Sequence, residues 1–557
     1  MARSSIISHP LSRRQVLKGG AALGLGSAAA MGLTPAWASP WGRTNVYAQG
    51  VEEGPEISLA IRRESIPIDG QEAHPISING TSPGPLIRLK EGQDAVLRVT
   101  NLLDESTSIH WHGLILPPEM DGVPGVSFAG IAPGETFTYR FPVRQNGTYW
   151  YHSHSGLQEQ LGHAGPLIID AAEREPIRYD REHVLLLTDW TFEDPMSVFR
   201  NLKTMEGYYN FQERTIADFF ADVREKGFSQ TAEMRGMWAK MRMSSRDIAD
   251  VTGSTYTYLL NGHSPQENWN ALFKAGERVR LRVINGSAMS YFDVRIPGLK
   301  MTVVAADGQP VQPVPVDEFR IGVAETYDVL VSPEDDRAYT IFAEAMDRSG
   351  YARATLAPRE GMQAEIPKRR QIADRGMEAM GAHGMGDMEG MEGMDHSGMS
   401  NMEGMDHSNM PGMSGDDAGM EGMDHSNMEG MDHSNMEGMD HSNVGGMSGE
   451  QAKVGENGIL IAGEAQPGSR YDQAGIGIDP DERRVLVYRD LKAFTPWPDR
   501  REPGRELELH LTGNMERYMW SFDGKKFSEV TGPIHFEKDE RLRLILINDT
   551  MMEHPIH

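Results

Sequence analysis

Two short elements in the first third of the chain place histidines two residues apart: His110-Trp111-His112-Gly113 and Tyr151-His152-Ser153-His154. On an extended strand residues i and i+2 share a face, so each element points two imidazoles at one spot. Imidazole suits copper, zinc, iron and nickel. A lone histidine on a β face is most often an ordinary hydrogen-bonded residue. Two such pairs in one small domain, with His112 and His152 40 residues apart, read as the ligand set of a metal centre. A further element, Glu553-His554-Pro555-Ile556-His557, adds two more imidazoles at the end of the sequence.

A softer kind of donor is concentrated between residues 376 and 452. Near-identical copies of Glu-Gly-Met-Asp-His-Ser-Asn-Met begin at Glu392, Glu403, Glu421, Glu429 and Glu437. They set Met394 beside His396, Met405 beside His407, Met423 beside His425, Met431 beside His433 and Met439 beside His441. Thioether sulfur is a soft ligand that selects Cu(I), and imidazole takes either copper state. The stretch carries sixteen Asp or Glu and no Lys or Arg, which raises the local cation concentration. A plain acidic linker needs neither repeated methionine nor histidine, so the expected role is copper capture. The repeat holds no Leu, Ile or aromatic residue to stack as a solenoid. It is expected to be disordered without metal. Met234, Met237 and Met241, with Met243 nearby, also share a helical face; the commoner use of such a stripe is core packing.

Composition narrows the chemistry further. The 557 residues include no Cys, which excludes disulfides, thiolate zinc sites and cysteine nucleophiles in this chain. A formal net charge of −27 argues against a nucleic-acid partner, because phosphate binding needs basic surface.

The elements that must position these histidines are strands. Ala95–Val99 and Thr136–Phe141 mix β-branched and aromatic residues in near alternation, and Pro83-Gly84, Pro133-Gly134 and Asn146-Gly147 punctuate them. That is the pattern of an all-β sandwich or barrel. It recurs at Arg278–Val283 and Tyr327–Val331, and again at Leu507–Leu511 and Arg541–Leu546. Between about Met196 and Ile248 the composition turns helical and charged, as in an insertion. Ser12-Arg13-Arg14-Gln15-Val16-Leu17-Lys18 resembles a twin-arginine export signal. A weakly apolar run, Gly19 to Leu33, and a small-x-small site at Ala36-Trp37-Ala38 follow it. The run is too short and too rich in Gly for a membrane anchor. The expected mature protein starts near Ser39 and resides in the periplasm.

Taken together the three histidine elements resemble the multicopper oxidase family. Asp247-Ile248-Ala249-Asp250-Val251-Thr252-Gly253, Tyr256-Thr257-Tyr258-Leu259-Leu260-Asn261-Gly262 and Leu511-Thr512-Gly513-Asn514-Met515-Glu516-Arg517-Tyr518-Met519-Trp520 look like its copper-resistance branch. The resemblance implies an all-β chain of three cupredoxin-like Greek-key β-sandwich domains, the third incomplete, with a disordered Met/His-rich insert. The expected division is a signal peptide at 1–38, domains at 55–175 and 180–360, the repeat segment at 376–452, and a third domain at 460–557. It also implies copper of type 1, type 2 and binuclear type 3. By position His110 matches a type-2 ligand, while His112, His152 and His154 match type-3 ligands. His554 matches a type-1 ligand and His557 the second type-2 ligand. His110, His112, His152, His154 and His557 would then be the catalytic set.

Two departures stand out. The family's last histidine of the His-Pro-x-His-x-His motif and its His-Cys-His motif are absent, so the chain reads as cut off before its last ligands and inactive as given. The implied reaction is oxidation of Cu(I), or of phenolic surrogates, with reduction of O2 to water. Expected partners are Cu(I) and Cu(II) ions, O2 and other periplasmic copper-resistance proteins, with no nucleic acid and no stable membrane anchor. The alternatives are a non-enzymatic copper-sequestering protein and a general laccase.

Overall fold

Alternating burial builds the first pair of sheets. Asp94–Asn101 buries Ala95, Leu97, Val99 and Asn101 and leaves the residues between them partly exposed, as expected for a strand with one face on a core. The structure, a computed structural model, describes residues 50–241, 244–375, 453–454, 460–461, 471–480, 483–514, 518–550 and 552–556. In it Ile76–Ile78, Glu56–Arg63, Asp94–Asn101 and Thr136–Pro142 form a four-stranded sheet in that order. A five-stranded sheet runs Val51–Glu53, Leu86–Lys90, Ala164–Asp170, Gly147–His152, His110–His112. Leu59, Leu97, Ile87, Leu167, Trp111, Tyr139 and Tyr151 fill the space between the two sheets.

A second sandwich follows. Its six-stranded sheet runs Tyr256–Leu260, Arg181–Thr191, Val279–Asn285, Thr326–Val331, Met301–Ala306, Gln309–Val316. Its five-stranded sheet runs Trp269–Leu272, Tyr351–Ala357, Tyr339–Ala345, Phe292–Arg295, Glu318–Ile321. The helical insertion consists of Pro195–Thr204, Ile216–Lys226 and Phe228–Met241. Each of the first two helices starts on a side-chain cap: Asp194 accepts from the Ser197 N–H, and Thr215 with Asp218 forms a reciprocal box. A third sheet of Met519–Phe522, Arg505–Asn514 and Leu542–Asn548 buries Leu507 and Leu509. The chain is thus all-β in class, and among the described residues the α-helices lie in the insertion. No helix among the described residues is long and apolar enough to cross a membrane.

The first two sandwiches meet over an apolar seam of Leu86, Trp150, Ile168, Val184, Leu186 and Ile284. A buried ionic network runs alongside it. Arg282 Nε donates to Glu182 at 3.0 Å and its Nη1 to Thr148 Oγ1 at 2.8 Å. Arg88, from the other sandwich, donates to Glu182 at 2.7 Å and to Asp170 at 2.6 Å. Arg280 reaches Asp328, which also accepts from Thr148. Charges buried this deeply are tolerated only when paired, so the network specifies one docking of the two units. Trp150 in the seam is also the residue beneath the histidines.

Candidate metal centre

Register puts the histidines on one face. His110–His112 pairs antiparallel with Gly147–His152, setting His152 opposite His110 and Trp150 opposite His112. Trp111 and Tyr151, the residues between, point the other way and are fully buried in the core. The face therefore carries His110, His112, Trp150 and His152. One ligand nitrogen from each of His110, His112 and His152 lies within 4.8 Å of the others. His112 Nδ1 and His152 Nε2 are 3.2 Å apart, a separation at which two ring nitrogens need a proton or a cation between them. The strand ends at His152, so His154 projects from the loop beyond it rather than from the expected strand position. Its ring still stands 4.5 Å from that of His110 and 4.9 Å from that of His152.

Fixed groups hold the rings from behind. His110 Nδ1 lies 2.8 Å from the Asp121 carbonyl and 3.3 Å from its carboxylate. A carbonyl only accepts, so Nδ1 carries the proton and Nε2 keeps its lone pair for a metal. His152 lies flat on Trp150, 4.0 Å between centroids and 9° between planes, and Trp150 stacks on His112 at 5.0 Å. His152 Nδ1 is 3.3 Å from the Glu159 carboxylate. Ser108 accepts from the His154 N–H. Gln158 braces the loop by accepting from Thr107 and Ser153 and donating to the Ser106 carbonyl. His163 is wholly buried, and burial, followed by the neighbouring His152, pushes its pKa down to about 3. It is a neutral wall of the site.

These features fit copper at the type-2 and type-3 positions: oriented imidazoles, three nitrogens converging on one point, and carboxylate or carbonyl partners on their far sides. The type-1 set does not fit the residues present, since there is no Cys in the chain and His554 is the one matching ligand. His554 sits in a different setting, edge-on to Trp520 at 4.3 Å with its Nε2 3.2 Å from Thr550 Oγ1. Burial lowers its pKa. His557 lies outside the described residues, as do the repeat ligands at Met394, His396, Met405, His407, Met423, His425, Met431, His433, Met439 and His441.

Of the methionine stripe, Met234 is 37% exposed and lines a cavity of about 350 Å³ with Trp238, Asp222 and Arg375. Met234 is not core, contrary to the expectation from spacing, because it borders that cavity; Met237 is half-buried, and Met243 and the side chain of Met241 lie outside the described residues. Beside that cavity, burial pushes Asp247 up to about 6, and burial with the Asp247 charge pushes Asp250 up to about 7.

Sequence spacing missed Asp121, Trp150, Glu159 and His163. Trp150 was accessible in principle, since it lies two residues before His152 and must share its face. The other three come from turns and loops whose placement is tertiary.

The chain is similar to known proteins. Family models for multicopper oxidases match residues 60–174, 181–361 and 500–557. The chain is 52% identical over 556 residues to copper resistance protein A of Pseudomonas syringae pv. tomato, covering 98% of this chain and 89% of that one. It is 53% identical over 505 residues to copper resistance protein A of Escherichia coli, covering 91% and 82%. Among solved structures, the laccase from Botrytis aclada aligns with a TM-score of 0.44 at 28% identity, covering 60% of this chain and 57% of that one.

Proposed function

Because this chain belongs to the multicopper oxidase family and is a copper-resistance oxidoreductase within it, we propose that His110, His112, His152 and His154 hold copper at the site of O2 reduction. The observation that carries this reading is the facing pair His112 Nδ1 and His152 Nε2 at 3.2 Å, with His110 alongside. Copper held by these histidines would supply the one-electron redox chemistry by which O2 is reduced to water. The protein's own part is placement. Asp121 keeps the proton on His110 Nδ1, and Trp150 fixes the planes of His112 and His152. The docked second sandwich covers Trp150 from beneath. The electron donor proposed for the reaction is Cu(I), with phenols as surrogates.

Oxygen uptake with a reducing donor tests the assignment. In a protein that also carries the family's His-Cys-His ligands, His112→Ala or His152→Ala should abolish uptake, a larger loss than the about 10–100-fold typical of an outer-shell partner. Any blue absorbance from a separate mononuclear copper should remain. Undiminished uptake in both variants refutes the ligand reading.

The Met/His pairs of 376–452 are proposed to capture copper and supply it, while export through Arg13-Arg14 places the protein in the periplasm among other copper-resistance proteins. Soft thioethers, imidazoles and an uncompensated acidic charge support the first proposal. Replacing Arg13 and Arg14 by Lys should leave precursor in the cytoplasm; normal periplasmic amounts would contradict the second.

A further inference from the structure

Three consecutive residues in the loop after His154 reach in three directions. Gln158 braces the first sandwich through Thr107, Ser153 and Ser106. Gln160 reaches the second, donating to the Asp189 carbonyl at 3.0 Å and accepting from the Tyr256 hydroxyl at 2.6 Å. Between them Glu159 lays its carboxylate 3.3 Å from His152 Nδ1. Its side chain is 26% exposed and lines an enclosed cavity of about 20 Å³ with Asp189, Thr188 and Ser82. The backbone on either side of Glu159 is therefore pinned to a different sandwich.

This contact adds to His152 something that stacking cannot supply. Stacking on Trp150 fixes the plane of the ring and not its edge. A half-turn about Cβ–Cγ leaves the imidazole equally well stacked but exchanges Nδ1 with Cδ2 and Nε2 with Cε1. The flipped ring would present carbon to His112 Nδ1. A polar partner on one edge distinguishes the two states, and Glu159 stands at that edge. The carboxylate 3.3 Å from Nδ1 lies outside hydrogen-bond geometry, but its charge favours the proton on that nitrogen, which leaves the Nε2 lone pair free for metal.

We propose that Glu159 is a positioning residue for the copper cluster, selecting the flip state and tautomer in which His152 presents Nε2 beside His112 Nδ1. This rests on the reading that His112 and His152 are copper ligands. Removing a group that orients a ligand histidine typically weakens metal binding by about 10–100-fold. Glutamine keeps an oxygen that can accept from Nδ1–H, whereas alanine and leucine do not.

Copper affinity of the full chain, measured by competition with a chromophoric chelator, separates the possibilities. The Met/His repeats are identical in every variant and cancel in the comparison. Glu159→Ala should bind copper at the histidine site about 10–100-fold more weakly, while Glu159→Gln should stay close to wild type. The metal-free melting temperatures should be alike. Where alanine loosens the loop, Glu159→Leu carries the same expectation with the volume retained. Wild-type affinity in Glu159→Ala and Glu159→Leu overturns the proposal, as does a Glu159→Gln loss equal to that of alanine. His152→Ala is the control on the underlying reading: if it too binds like wild type, the ligand assignment fails rather than the role of Glu159.

Discussion

His152 is constrained by a stacked indole, a carboxylate on one edge and a second imidazole on the other. The residues that could ligate were legible from two-residue spacing alone, since that spacing fixes a shared face on any strand. The groups behind them were not. Asp121 reaches His110 through a turn in which Gly122 has φ +74° and sits so close to Ile109 that a Cβ would fall 1.8 Å from the Ile109 carbonyl oxygen. Glycine is thus required both by conformation and by space. Gly122→Ala should cost about 1–3 kcal/mol from backbone strain alone, with the clash adding to it. It should also weaken copper binding by displacing Asp121. Denaturant unfolding and chelator competition measure the two effects, and a neutral result in both would contradict the role given to this turn.

At the scale of elements, alternation located the strands well. The stretches expected at Ala95–Val99, Thr136–Phe141, Tyr327–Val331 and Leu507–Leu511 fall inside observed strands. The failures have physical causes. The strand stops at His152 because the chain turns into the loop braced by Gln158, so His154 joins the site from outside the sheet. Met234 read as core because periodicity reports a face and not what covers it. The pairing of the two sandwiches was invisible in the sequence, since Arg88, Glu182, Arg282 and Asp328 are far apart along the chain. Arg282→Met would leave Glu182 and Asp328 short of a buried partner, a loss of about 3–5 kcal/mol for a broken buried pair. Unfolding of Arg282→Met by denaturant should show that loss; a change under 1 kcal/mol, about the worth of an exposed pair, would show that the network does not hold the interface.

For the whole molecule, described residues on either side of the repeat segment are anchored on the second sandwich. The Arg370 backbone N–H donates to Glu344, and its guanidinium pairs with Glu318. On the returning side, Arg320 and Arg348 donate to the carbonyls of Ile476 and Gly477 at 2.7 and 2.8 Å. Arg375 pairs with Glu553 at 2.7 Å, next to His554. Arg370, Arg375, Ile476 and Gly477 are thus held by contacts that do not involve residues 376–452. Deleting 376–452 should lower the number of Cu(I) ions bound per chain and, in a protein that also carries the family's His-Cys-His ligands, slow oxidation at limiting Cu(I) with little change in turnover on a phenolic surrogate. Unchanged Cu(I) stoichiometry would reduce the stretch to a linker, and lost surrogate turnover would show that it supports the fold. The central claim, copper among the first-domain histidines, is tested most directly by anomalous diffraction at the copper edge on crystals of the copper-loaded protein. The account predicts anomalous density bonded to His112 Nδ1 and His152 Nε2, with further copper at His110 and His154; copper density confined to other parts of the molecule would contradict it.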